Sequence, residues 1–341
     1  MKIFFKGYYG FNNIGDDIFV HTIDWFCKKY NYKYLIHGYN LPLGIKGKSV
    51  KSRGSKNIYD LIYSIKSKRI IYWGGSTFEQ ISSKSDLKYL LNKFNFFSKK
   101  VLAMGISIGP FNDEKSRNKI TNFVDKMQFV GVRDKASINY SKNLEFTFDL
   151  AIITPLIFPN CNKPRENKTK DFVISLNISE AENYDEYTKT YREFLLNNKE
   201  SIKKVNILVF NTDDYEDSIM LYNKLKESFR EVNIINYSSD TKYIVEKIAS
   251  SDLLLGNRLH SAIIAYSYNV PFILNEYHQK CSDFLKTINM QYKYNELKNN
   301  PDESIIRVIE NTKNCADSQY FRELLLEKLE KLAKVIRNED L

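Results

Sequence analysis

The stretch SDLLLGNRLHSAIIAYSYNVPFI, residues 251–273, decides the fold class of this chain. Its apolar run at 253–255 predicts a buried strand, Gly256 permits a tight turn, and residues 259–266 predict a helix. Open α/β sheets bind ligands at the carboxyl ends of strands, where such turns lead into helices. Arg258 and His260 lie in this turn, beside a helix N-terminus whose unpaired N–H groups also favour negative charge. We therefore predict an anion site at Arg258 and His260.

Strand and helix patterns alternate through the rest of the 341-residue chain, which is typical of parallel sheets with crossover helices. The strands are predicted at 2–10, 34–37, 70–73, 101–107, 129–132, 172–177, 205–210, 232–237, 253–255 and 271–274. At roughly 150 residues per domain, the length fits two domains. We predict an α/β protein with two Rossmann-like doubly wound domains facing a cleft. This is the architecture of GT-B glycosyltransferases, and no activity follows from it alone.

The domain limits follow from composition. A polar segment with two prolines, residues 159–170, is the best candidate for a linker between an N-terminal domain at 1–158 and a C-terminal domain at 171–315. The last segment, 316–341, contains an amphipathic helix with apolar residues on one face. Because its polar face carries both signs of charge, we expect this helix to pack on the domains rather than to lie on a membrane.

Composition also narrows the classes of partner. The net charge of +10 comes from single Lys residues interleaved with polar ones, which favours a solvated surface over attraction to an anionic partner. No nucleic-acid-binding motif occurs, so we expect no nucleic-acid partner. The four cysteines lack C-x-x-C spacing and no cluster has metal-ligand spacing, which predicts reduced thiols and no metal. Without a secretion signal or a long apolar run, we expect a soluble, cytoplasmic protein.

The loop after the first strand, GYYGFNNIGDD at residues 7–17, matches neither the G-x-G-x-x-G nor the P-loop nucleotide motif. It offers the amides of Asn12 and Asn13 and the carboxylates of Asp16 and Asp17, a set that suits sugar hydroxyls better than a pyrophosphate. One of the two carboxylates has a simpler explanation, because the first turn of a helix favours acidic residues.

Short motifs in a fixed order carry a family resemblance that spans nearly the whole chain. They are NNIGD at 12–16, GGSTF at 74–78, GISIGP at 105–110, VRD at 132–134, DLA at 149–151, RLH at 258–260 and YHQK at 277–280. In these motifs the chain resembles the polysaccharide pyruvyltransferases, which attach pyruvate from phosphoenolpyruvate to sugars as a ketal.

The resemblance implies phosphoenolpyruvate as donor substrate, with no cofactor. Its carboxylate and phosphate need several compensating cations, which Arg133, Arg258, Lys280 and a protonated His260 would supply. A ketal also requires one general acid and one general base. We assign His260 to protonate the enol or the departing phosphate. Asp16 or Asp17 would accept the proton of a sugar hydroxyl.

The implied acceptor is a sugar of a lipid-linked or nucleotide-linked precursor, with Asn12, Asn13, Gly15, Gly74, Gly75 and Ser76 as acceptor-binding candidates. Such precursors are made at the inner face of the cytoplasmic membrane, and the positive net charge is compatible with peripheral contact there. The N-terminal domain would then be the acceptor side and the C-terminal domain the donor side.

Alternatives remain open at this point. A GT-B glycosyltransferase using a nucleotide sugar would share the fold, and a non-enzymatic subunit of a polysaccharide assembly complex is a third class. Several candidates also have structural explanations: Arg258 could pair with Asp252, Arg133 with Asp134, and the glycines at 74 and 75 could simply form a turn.

Overall fold

The computed structural model describes residues 1–79, 86–93, 100–161, 168–178 and 184–338. Its strands are β1 (Lys2–Lys6), β2 (Lys33–Leu35), β3 (His37–Gly38), β4 (Lys48–Ser49), β5 (Arg69–Phe78), β6 (Val101–Ile108), β7 (Val130–Val132), β8 (Leu144–Phe146), β9 (Phe172–Asn177), β10 (Ile202–Leu208), β11 (Val232–Ile235), β12 (Leu253–Gly256) and β13 (Phe272–Leu274). Its helices are α1 (Ile14–Lys29), α2 (Arg53–Lys66), α3 (Leu87–Lys93), α4 (Glu114–Val124), α5 (Lys135–Ile138), α6 (Thr154–Ile157), α7 (Tyr184–Asn197), α8 (Tyr215–Leu225), α9 (Thr241–Ala249), α10 (Leu259–Ser267), α11 (Gln279–Thr287), α12 (Tyr294–Asn299), α13 (Ile305–Thr312) and α14 (Ser318–Arg337).

Contacts within the chain divide it into two compact units. The first unit comprises Met1–Phe11, Asp16–Leu150 and Tyr320–Leu341, and the second comprises Asn12–Gly15 and Ala151–Gln319. The division along the chain falls before the predicted limit at residue 158. Residues 162–167 of the predicted linker lie outside the described residues.

The first unit contains a six-stranded parallel sheet in the order β2-β1-β5-β6-β7-β8. All eight residues of β6 are buried, because helices cover both faces of a sheet of this kind. The chain adds β2 on one side of β1 and β5 on the other. The point where the direction of winding reverses therefore lies between β1 and β5.

The second unit contains a five-stranded parallel sheet in the order β11-β10-β9-β12-β13. Here β10 lies on one side of β9 and β12 on the other, with Gly256 opposite Asn177 in the register. The winding reverses between β9 and β12, and open sheets bind ligands at such a switch point. The predicted fold class, α/β with two doubly wound parallel sheets, is confirmed.

The amphipathic helix predicted near the C-terminus is α14, and it packs on the first unit. Its Leu325, Leu329 and Leu332 side chains are fully buried. Phe321 stacks on Phe148 with a centroid distance of 4.3 Å, and Lys331 pairs with a carboxylate of that unit at 2.6 Å. Over the described part of the chain, no helix has the length and apolar character needed to span a membrane.

Candidate active site

The predicted strand-turn-helix junction at Arg258 is present in the second unit, between β12 and α10. Asn177, the last residue of β9, accepts hydrogen bonds on its side-chain oxygen from the backbone N–H groups of Asn257 and Arg258, at 3.1 and 2.8 Å. These bonds hold the turn against the neighbouring strand. Arg258 precedes the first residue of α10 and His260 lies in its first turn. The sequence-predicted anion site therefore lies at the switch point of the second sheet.

Arg258 is held in place by a buried carboxylate. Its Nε and one Nη donate to the two oxygens of Asp214, whose side chain is fully buried, and the Nε bond measures 3.1 Å. Burial opposes the charge of Arg258, but hydrogen bonds and charge from Asp214 outweigh it and raise the pKa of the guanidinium. Asp252, considered above as the partner, instead pairs with Lys168 at 3.1 Å. Because Asp214 compensates one cation, a dianionic ligand would rely on further positive groups.

His260 packs closely against Gly15, a residue that also belongs to the second unit. A Cβ atom on Gly15 would lie 2.1 Å from His260 Nδ1, so a side chain there would displace the imidazole. The loop is fastened to the second unit by backbone hydrogen bonds from Ile14 N to Phe210 O at 3.0 Å and from Thr212 N to Asn12 O at 3.3 Å. Gly15, predicted as an acceptor contact, is thus placed beside the candidate acid.

The other residues of this loop shape the start of α1. Asn13 Oδ1 accepts from the backbone N–H of Gly15 at 2.9 Å, and Asn12 adopts a left-handed backbone with φ of 54°. Asp16 and Asp17 follow in the first turn of the helix. Asp17 is fully buried whereas Asp16 is half-buried. Of the two predicted bases, Asp16 is therefore the more accessible to a ligand.

Lys280 is the third candidate of the donor group in the second unit. It lies in the first turn of α11, which follows β13, the strand next to β12. Its backbone N–H donates to the capping side chain of His278 at 3.3 Å. The second unit thus contains Arg258, His260 and Lys280 on elements that follow adjacent strands.

Arg133, the remaining donor candidate, is buried in the first unit. Its three nitrogens donate to Ser107 at 2.6 Å, Asp149 at 3.0 Å and Ser76 at 2.8 Å. The alternative partner Asp134 instead caps α5 through the backbone N–H of Ser137 at 2.8 Å. This network places Arg133 against the predicted acceptor residue Ser76.

Gly74 and Gly75, in the middle of β5, adopt left-handed backbone with φ of 70° and 81°. A Cβ atom on Gly74 would lie 2.7 Å from the Phe19 ring. Both positions therefore require glycine for the course of the backbone, which presents Ser76 on the exposed side.

A cavity of about 560 Å³ lies at the carboxyl ends of β1 and β5, the switch point of the first sheet. One wall is aromatic: the rings of Tyr8 and Phe11 stack at 3.7 Å, and Tyr39 lies 4.8 Å from Phe11. The cavity is also lined by the cationic side chains of Lys6, Arg53, Lys56 and Lys88. An aromatic wall with cations beside it suits a sugar that carries an anionic group.

A buried charge cluster forms the floor of this cavity. Asp60 accepts from Lys6 Nζ at 2.6 Å and from His37 Nε2 at 2.7 Å, and Lys56 lies 3.8 Å away. Burial alone would raise the pKa of Asp60, but the His37 hydrogen bond and the two lysines lower it to about 2. Burial also lowers the pKa of Lys6 and of His37, and Asp60 opposes both effects. Asp60 is thus a carboxylate near neutral pH.

The sequence analysis did not identify this cluster. His37 appeared only as the end of a predicted strand, and Asp60 was not among the candidate residues. Lys6 gave no signal either, because the first strand was predicted to run to residue 10, whereas in the structure it ends at Lys6 and places this side chain where α/β sheets bind ligands. Within the described residues, no group of three or more His, Cys, Asp or Glu side chains is arranged to hold a metal ion.

Comparison with protein families gives one match, the model of polysaccharide pyruvyl transferases, over residues 13–279. This chain belongs to that family. The matched region includes Asn13, Arg133, Arg258 and His260, and Lys280 lies one residue beyond its end. The protein is therefore an enzyme, a transferase whose general reaction is pyruvyl transfer in polysaccharide synthesis.

Solved structures confirm the GT-B fold. A UDP-N-acetylglucosamine 2-epimerase, described as putative, from Listeria monocytogenes matches with a TM-score of 0.65 at 10% identity, covering 99% of this chain and 97% of that one. The S. aureus MnaA–UDP structure matches with a TM-score of 0.62 at 10% identity, covering 100% and 98%. A glycosyltransferase from Rickettsia africae matches with a TM-score of 0.55 at 13% identity, covering 99% of each chain. At these identities the likeness shows the fold alone. Comparison with curated proteins gives no match.

Proposed function

We propose that this enzyme transfers pyruvate from phosphoenolpyruvate to a sugar of a surface-polysaccharide precursor, forming a pyruvate ketal and releasing phosphate. The observation that carries this proposal is the anion site at the switch point of the second sheet, in a member of the pyruvyl transferase family. At this site Arg258, held by its hydrogen bonds to Asp214, and His260 lie at the start of α10. The proposed reaction uses phosphoenolpyruvate as a substrate and requires no cofactor.

The donor would bind in the second unit. An arginine fork suits a carboxylate and a lysine suits a phosphate oxygen, so Arg258 would orient the carboxylate while Lys280 meets the phosphate. The N–H groups at the start of α10 add a partial positive charge. Since Asp214 already compensates Arg258, protonated His260 would supply the remaining positive charge next to the phosphate.

The reaction proceeds by an addition to C2 of the enol, followed by a substitution at the same carbon. First, C3 gains a proton from the general acid while a sugar hydroxyl oxygen attacks C2 and loses its proton to the general base. A second hydroxyl oxygen then replaces phosphate at C2: the bond from C2 to the phosphate oxygen breaks, the phosphate leaves with the proton of the second hydroxyl, and exchange with solvent restores the general acid and base. We assign the acid role to His260 and the base role to Asp16, the more accessible carboxylate of its pair.

The acceptor would occupy the cavity of the first unit. The apolar face of a sugar ring packs well on the Tyr8–Phe11–Tyr39 wall. The cations Arg53, Lys56 and Lys88 favour a precursor whose sugar is linked through a diphosphate, to either a lipid or a nucleotide. Ser76, bonded to Arg133, also lines this cavity.

One alternative function has support from the fold. A GT-B glycosyltransferase with a nucleotide-sugar donor would use the same cationic residues on a diphosphate, and the Rickettsia africae glycosyltransferase shares this architecture. The two activities differ in their products. Release of a nucleoside diphosphate, without consumption of phosphoenolpyruvate, would identify glycosyl transfer.

The test is to incubate the purified protein with phosphoenolpyruvate and a panel of diphosphate-linked sugars. We expect phosphate release together with an acceptor mass gain equal to pyruvate less one water. His260→Gln should abolish both signals while the protein remains folded by circular dichroism. Product formation at the wild-type rate by this variant would reject the role of His260, and nucleoside diphosphate release alone would reject pyruvyl transfer.

A further inference from the structure

Helix α2 exposes large apolar side chains to solvent. Ile58, Leu61 and Ile65 are 60%, 51% and 66% exposed. Their spacing of three and four residues places them on one face of the helix, in a continuous stripe. A stripe of this kind normally faces a protein core, so its exposure requires an explanation.

The opposite face of α2 explains why the stripe points outward. The buried residues of α2 are Asp60 and Ser64, which are polar. Asp60 is fixed to Lys6 and His37 at 2.6 and 2.7 Å, in the charge cluster under the cavity. Rotating the helix to bury its apolar stripe would break these ion pairs, so the stripe is held in solvent by the cluster.

The surface around the stripe is strongly basic. The exposed cations of residues 43–68 are Lys46, Lys48, Lys51, Arg53, Lys66 and Lys68. The single carboxylate of this segment, Asp60, is buried. Lys48 lies 5.5 Å from the centre of the Tyr59 ring, which places β4 beside α2. Apolar and cationic side chains are therefore combined on one surface.

We propose that α2 and the basic segment that precedes it form a docking surface for an anionic phospholipid membrane. The stripe Ile58–Leu61–Ile65 would enter the boundary between headgroups and acyl chains, and the lysines would meet the anionic headgroups. A second copy of this chain is a poorer occupant, because a two-fold interface would bring two equally basic surfaces together. This inference does not depend on which reaction the enzyme catalyses.

The test is cosedimentation of the full chain with vesicles. We expect binding to phosphatidylcholine vesicles containing phosphatidylglycerol, weak binding to phosphatidylcholine alone, and release at high salt. The triple variant Ile58→Ser, Leu61→Ser, Ile65→Ser should lose about tenfold or more in binding to the anionic vesicles. The charge variant Lys46→Glu, Lys48→Glu, Lys51→Glu should lose a similar amount.

A matched control replaces exposed apolar residues on other helices. Met220→Ser with Ile306→Ser, at positions 46% and 39% exposed, should bind anionic vesicles like the wild type. Because none of the replaced side chains is buried, all variants should melt at the wild-type temperature and retain turnover on a water-soluble acceptor. The proposal is overturned if the wild-type protein does not bind anionic vesicles, or if the triple serine variant binds them as strongly as the wild type does. It is also overturned if the stripe instead mediates a dimer in sedimentation velocity.

Discussion

At the scale of the residue, buried acids set the positions of the functional cations. Asp214 holds Arg258, Asp149 holds Arg133, and Asp60 holds Lys6. The sequence motifs indicated the arginines as candidates, because their residue type matches the charge of the proposed donor. They did not identify Asp214 or Asp60, because an acid forty or more residues away acquires its role only through the fold.

Replacing the partner of Arg258 should damage donor binding. An asparagine at position 214 offers one acceptor oxygen and no charge, so Asp214→Asn should leave the guanidinium poorly oriented. We expect the KM for phosphoenolpyruvate to rise by about tenfold or more, with a loss of up to about 3 kcal/mol in the free energy of unfolding. The exposed neighbour variant Asp213→Asn is the control. An unchanged KM in the Asp214 variant would contradict the positioning role.

The contact between Gly15 and His260 leads to a second prediction. A methyl group on Gly15 would lie 2.1 Å from His260 Nδ1, much closer than van der Waals contact allows. Gly15→Ala should therefore shift the imidazole ring. A misplacement of about 1 Å typically costs about 10²-fold in turnover. Gly54→Ala, at an open position in α2, is the matched control and should stabilise the helix by up to about 1 kcal/mol. Turnover at the wild-type rate by Gly15→Ala would contradict a catalytic role for His260.

At the scale of the element, the sequence predicts the strand-turn-helix order well and the strand ends less well. The junction of β12 and α10 lies where predicted, because a buried apolar run followed by glycine is a local signal. The strand predicted at 2–10 ends at Lys6, since Gly7, Tyr8 and Phe11 line the cavity instead of continuing the sheet. The hydrogen bonding of residues 12–15 to Phe210 and Thr212 could not be predicted from the local sequence, because backbone hydrogen bonds do not depend on side-chain type.

The orientation of α2 shows a limit of periodicity. Apolar residues at helical spacing normally face a core, whereas Ile58, Leu61 and Ile65 face solvent. Buried ion pairs on the other side of the helix outweigh the local pattern. Neither half of such a pair, Lys6 or Asp60, reveals the other in the sequence.

The cluster that orients α2 should also make stability depend on pH. The pKa of Asp60 is about 2 in the folded protein against an ordinary value of 3.8. The carboxylate therefore stabilises the fold fully above pH 3.8, and this contribution is lost as the pH falls through 2. We expect it to amount to about 2 kcal/mol. The measurement is the urea midpoint between pH 2 and 5, where Asp60→Asn should flatten the dependence.

A surface variant controls for the general effect of removing a carboxylate. Glu246→Gln removes the partner of Lys242 in a pair whose side chains are 45% and 47% exposed, and such surface pairs contribute little. Its urea midpoint should follow the wild-type pH dependence. If Asp60→Asn shows the same pH dependence as the wild type, the cluster does not stabilise the fold in the way described.

At the scale of the whole molecule, both sheets place their polar groups at their own switch points. The position of Arg258 and His260 at the switch point of the second sheet was predictable, because their motif combines a strand, a glycine turn and two basic residues. The cavity of the first unit was not, because its wall and floor come from β1, β3, α2, β5 and the segments between them. A fold of this kind carries many activities, so the fold alone does not identify the chemistry.

The chain passes between its two units four times, at residues 11 to 12, 15 to 16, 150 to 151 and 319 to 320. A fragment that ends at Leu150 would contain the NNIG segment without the strand end to which it is bonded, and would lack α14. The complementary fragment would contain His260 without Gly15 beside it. Cutting the gene at the midpoint therefore separates segments that belong to the same unit. An exchange of the first unit would have to replace three separate stretches of the chain at once, and an exchange of the second unit would have to replace two.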